Sequence, residues 1–82
     1  MKKIELLPKF YSNAERNERA AEMKKAIDEL LSSDLLSDRV KEKVKEVIYN
    51  MAIIAGTYSR NYEIKKLNNL IDYFNRIEKE SR

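Results

Sequence analysis

The sequence predicts an all-α fold: a three-helix antiparallel bundle preceded by a short extended arm. Apolar residues recur at three- and four-residue steps over three long stretches. Serine capping signals open the first two stretches, and the only glycine and proline, Gly56 and Pro8, lie at element margins. The chain has 82 residues, a single-domain length at which folding buries only ~60 to 65% of the surface the unfolded chain exposes. A core that thin, with no disulfide or metal to reinforce it, makes an oligomer an expectation from size alone.

Residues 1–11 form the arm. Ile4 and Leu6 alternate with charged neighbours, Pro8 blocks entry into a helix, and Phe10-Tyr11 add an apolar hook. Two forms fit this pattern: a short strand within residues 2–7, or a tail pinned by Phe10. A strand would require a second copy, because no other segment has the pattern of a β partner.

Residues 12–82 form a single helical domain. The first helix, about 13–31, opens on the capping box Ser12-Asn13-Ala14-Glu15, with Glu15 and Glu18 near its positive end. Its core stripe is Ala20, Met23, Ile27, Leu30 and Leu31. Ser32-Ser33-Asp34 ends it, and Leu35-Leu36 supplies an apolar plug for one end of the bundle.

Ser37 caps the second helix, about 38–56, whose seam runs through Val40, Val44, Val47, Met51, Ile54, Ala55 and Tyr58 at nearly coiled-coil spacing. At ~100° per residue, Tyr49 and Ile53 fall on the opposite side. Gly56 closes this helix, and continuing the seam leads to Asn61 and Lys65, so the chain must re-register. The third helix, about 62–79, carries Ile64, Leu67, Leu70, Ile71, Phe74 and Ile77, a stripe broad enough to meet two neighbours. Tyr73 lies at its edge and Tyr62 near its start.

Composition removes most catalytic templates. Without cysteine or histidine there is no structural zinc, iron–sulfur ligation, thiol nucleophile or Ser-His-Asp relay, and one glycine cannot build a phosphate loop. Glu18 with Glu22 and Glu42 with Glu46 place carboxylates one helical turn apart, but lysines and arginines surround both pairs, as on a solvated face. We therefore expect no enzyme, cofactor, metal or small-molecule substrate. The apolar run from Met51 to Ala55 is too short to span a bilayer, and the Lys2-Lys3 start lacks the apolar stretch of a signal peptide, which predicts an unexported, cytoplasmic protein.

Two binding functions follow. The favoured one is a protein-interaction module, of adaptor, inhibitor or immunity type, that binds another protein or a second copy as a homodimer. Tyr49, Ile53, Tyr62 and Tyr73 are its anchors, since aromatic and apolar side chains dominate interfaces. The alternative is nucleic-acid binding through residues 48–67. There, Met51-Ala52-Ile53-Ile54-Ala55-Gly56 followed by Ser59-Arg60-Asn61 resembles a helix-turn-helix. That resemblance implies phosphate contacts from Arg60, Lys65, Lys66 and Arg76, with Asn61 or Asn68 near base edges. The 17 Lys and Arg and 14 Asp and Glu are interspersed, a net +3, rather than gathered into a basic stripe, which favours the first function.

Overall fold

The computed structural model describes residues 1–54 and 60–81, without the side chains of 50–54. Three helices, α1 (Asn13–Ser32), α2 (Asp38–Ile54) and α3 (Arg60–Glu80), each touch the other two. The bundle is elongated, 40 × 22 × 16 Å. No strand occurs among the described residues.

Helix α1 starts where the capping box places it. Ser12 Oγ accepts from Glu15 N at 3.1 Å, and Glu15 Oε1 accepts from Ser12 N at 3.3 Å, so two otherwise unpaired amides are satisfied reciprocally. Ser37 opens α2 by accepting from Val40 N at its hydroxyl (3.4 Å) and from Lys41 N at its carbonyl (3.0 Å). Between them, Leu36 is buried as a plug while Leu35 stays exposed. The end of the second helix, with Gly56 and Tyr58, lies outside the described residues, as do the side chains of Met51, Ile53 and Ile54.

Met23, Ala26, Ile27 and Leu30 of α1 meet Val44 and Val47 of α2 and Ile64, Leu67, Ile71 and Phe74 of α3. On α1 the buried stripe is shifted from the expected one. Ala20 and Leu31 are only partly buried, whereas Ala26 and the long side chain of Arg19 go inside. On α3 the broad stripe does meet two partners besides α2: α1, and the arm.

The arm contributes directly to the core, and its period differs from the expected alternation. Ile4 and Leu7 are buried and Met1 packs partly against them, while Leu6 is exposed. Burial every third residue is the period of a polyproline-II-like chain, not of a strand. Phe10 is no hook: it is 86% exposed. The arm is held instead by polar groups of α1 and α3.

Candidate functional site: two faces of helix α3

Helix α3 carries a row of three asparagines, Asn61, Asn68 and Asn75, and each holds one arm residue by both of its main-chain groups. Asn68 Oδ1 accepts from Ile4 N at 2.8 Å and its Nδ2 donates to Ile4 O at 2.9 Å. Asn61 does the same for Leu7, at 2.8 and 3.0 Å. Asn75 does so for Met1, accepting from its nitrogen at 2.6 Å and donating to its carbonyl at 2.7 Å. A primary amide offers an acceptor and two donors on one plane, so it can pair with both groups of one residue as a neighbouring strand would.

The row works because two periods match. Seven helical residues rise ~10.5 Å, about two turns, so the three amides stay nearly in line, drifting ~20° per step. Three residues of extended chain span ~10 Å. The asparagines are spaced by seven and the arm residues they hold by three, and pairing Met1 with Asn75 and Leu7 with Asn61 runs the arm antiparallel to α3.

Helix α1 closes the other side. Arg19, only 8% exposed, donates from Nε to the Glu5 carbonyl at 2.8 Å and lies 3.6 Å from the carboxylates of Glu5 and Glu18. Lys3 adds an exposed ion pair with Asp72 at 3.3 Å. Every hydrogen bond between Asn61, Asn68, Asn75 or Arg19 and the arm is to the arm's main chain.

Another side of α3, ~120° round the helix from the asparagines, has no such cover among the described residues. Tyr62, Lys66, Asn69, Tyr73 and Arg76 follow a heptad-like stripe on it. Tyr62 is 61% exposed with Lys66 Nζ 5.4 Å from its ring centre, and Tyr73 is partly exposed with the Arg76 guanidinium at 5.3 Å. Beside this stripe, α2 and α3 form an open cleft of about 650 Å³. Val40, Val47 and Leu70 supply its apolar part; Arg39, Lys43 and Lys66 are its cations, with Glu46 opposing them. Under the stripe, Glu63 is buried; its carboxylate has no hydrogen-bond partner among the described residues, and the nearest cation, Lys66, is 3.9 Å away.

The expected protein-binding residues divide accordingly. Tyr62 and Tyr73 share the outer stripe of α3, and Tyr49 is 65% exposed on α2 beside the half-exposed Ile48; Ile53 lies outside the described residues. The expected nucleic-acid residues do not converge. Lys65 and Arg76 lie within ~20° of each other round the helix, Lys66 lies ~80 to 100° from both, and Arg60 begins α3. Asn61, assigned to base edges, is engaged by the arm, as is Asn68.

One carboxylate of each sequence pair meets a cation: Glu42 the exposed Lys45 at 3.1 Å, and Glu18 the buried Arg19 at 3.6 Å. No cluster of three or more potential metal ligands occurs among the described residues. No helix of the described residues is long and apolar enough to cross a membrane. Compared with known proteins, the chain matches no family model, no curated protein and no solved structure.

Proposed function

We propose that this chain is a non-enzymatic protein-interaction module whose docking face is the outer side of α2 and α3. The observation that supports it is the exposure of Tyr49, Tyr62 and Tyr73 on two packed helices, the last two backed by cations. A tyrosine brings large contact area and a polar tip at low entropic cost, and a ring stacked by Lys or Arg loses less freedom on binding. The partner is another protein or a second copy of this chain, seated along the cleft between α2 and α3, with its apolar side chains against Val40, Val47 and Leu70.

A second function, nucleic-acid binding, draws support from Arg39, Lys43 and Lys66 along the same cleft. It has lost its base-reading amide, because Asn61 is held by Leu7. Capture from a lysate of the native host, with and without nuclease, discriminates the two. A protein recovered with the wild type after nuclease treatment and lost with Tyr49→Ser/Tyr62→Ser/Tyr73→Ser is the expected result. Recovery of nucleic acid that nuclease abolishes overturns it in favour of the second function.

A further inference from the structure

We propose that the groove between α1 and α3 is a main-chain-reading peptide site, and that it takes residues 1–7 of a second copy in place of its own, so that two chains exchange arms. This is independent of the α2–α3 face.

The ladder itself makes the exchange chemically neutral. Asn61, Asn68, Asn75 and Arg19 hydrogen-bond only the arm's main-chain nitrogens and carbonyls, Arg19 adds an ion pair with Glu5 at 3.6 Å, and Ile4 and Leu7 add the apolar contacts. A second arm brings the same groups in the same register. The observed alignment, Met1 on Asn75, Ile4 on Asn68 and Leu7 on Asn61, is open to an arm from either chain.

The joint between arm and domain decides which chain supplies it. Residues 8–11 are all exposed, and Pro8 biases Leu7 toward extended backbone. The joint also holds Phe10, the most exposed large apolar side chain described, next to half-exposed Tyr11. In the closed monomer these rings face water, with only Lys9 over Phe10 at 5.6 Å. In an exchanged dimer the two joints pass each other around the symmetry axis, so each Phe10-Tyr11 pair gains an apolar neighbour from the other copy. Against this stands the effective concentration of the tethered arm, about millimolar for a short linker, so exchange becomes visible as the chain approaches that concentration.

The test uses the full chain and its lack of cysteine. Chains carrying a nitroxide on Lys2→Cys, an exposed arm position, and no ¹⁵N are mixed with ¹⁵N-labelled, spin-free chains, so that only contacts between chains broaden amide signals. The expected result is broadening around Asp72 and Asn75 of the ¹⁵N chain that grows with total concentration up to about millimolar. It should change by less than about twofold when the ¹⁵N chain carries Asn68→Ala, because that rung is lost equally from the closed and the exchanged form. Phe10→Ser/Tyr11→Ser in both chains, which alters only exposed residues, is expected to weaken the same broadening severalfold, because only the exchanged form brings those rings together.

No broadening on α3 at millimolar concentration overturns the proposal. So does broadening centred on Tyr49 or the outer stripe of α3, or broadening indifferent to Phe10→Ser/Tyr11→Ser. If the α2–α3 face serves no partner, none of these outcomes changes. Tyr62→Ser/Tyr73→Ser should leave arm exchange intact, and Asn68→Ala in a folded chain should leave binding at that face intact.

Discussion

The two sides of helix α3 are built on the same heptad spacing and come to opposite states. On one side Asn61, Asn68 and Asn75 lie under a strap of their own chain, and each amide is paired at both ends. On the other, Tyr62 is largely and Tyr73 partly exposed, each with a cation beside its ring. A row of primary amides is covered, while two aromatic rings are not. What matters is whether a buried group finds its complement, and an amide facing an unpaired main chain does so completely. Among the described residues nothing covers the tyrosine stripe as the arm covers the asparagines.

If the ladder side is structural and the tyrosine side is not, substitutions should rank accordingly. Removing residues 1–7 strips Ile4 and Leu7 from the core, and we expect a loss of about 3 to 6 kcal/mol in urea unfolding. A truncated chain within about 1 kcal/mol of the full one would make the strap dispensable, which is below the cost of even one such side chain.

Asn68→Ala leaves both main-chain groups of Ile4 unpaired, and the expected loss is about 2 to 3 kcal/mol, with an unchanged denaturant slope. A loss below that of the terminal rung, Asn75→Ala, would show that the rungs do not act as one register. Arg19→Met keeps the packed stem and removes the bond to Glu5 O, which should cost about 1 to 2 kcal/mol.

Glu63 sharpens the contrast from within α3, since it is a buried polar group with no hydrogen-bond partner among the described residues. Glu63→Met is therefore expected to raise stability by about 1 kcal/mol, read as an upward shift of the thermal midpoint. A destabilised Glu63→Met would mean that the carboxylate is doing structural work through Lys66. Smallest of all, Tyr62→Ser/Tyr73→Ser should change unfolding free energy by no more than about 0.5 kcal/mol while abolishing partner binding.

The helices were legible because their signals are local. Ser12 and Glu15 are three residues apart, and the capping box that they make in sequence is the one found in space. The same holds for Ser37 and for the seam positions Val44 and Val47, set by the helical repeat alone. Where local pattern was weaker, the expectation strayed. Ile4 and Leu6 look like a strand face, but Ile4 and Leu7 are the buried pair, because the arm meets side-chain amides on a helix rather than another strand. Asn61 and Asn68 could be read as base-contacting residues for the same reason: an isolated polar side chain on a helix says nothing about what faces it. The spacing 61, 68, 75 set against 7, 4, 1 was the available signal, and it has meaning only once the two segments are known to lie side by side.

The sequence by itself determined three helices, their caps and an apolar stripe on each, since those depend on residues within a turn or two of one another. Tertiary structure alone decided that residues 1–7 complete the core, that three asparagines and Arg19 exist to hold a main chain, and that the tyrosines remain outside. Those outcomes depend on pairs separated by 54, 64 and 74 positions. A hydrogen bond forms only where donor and acceptor approach within about 3 Å, and at such separations only the packing of the whole chain brings them there.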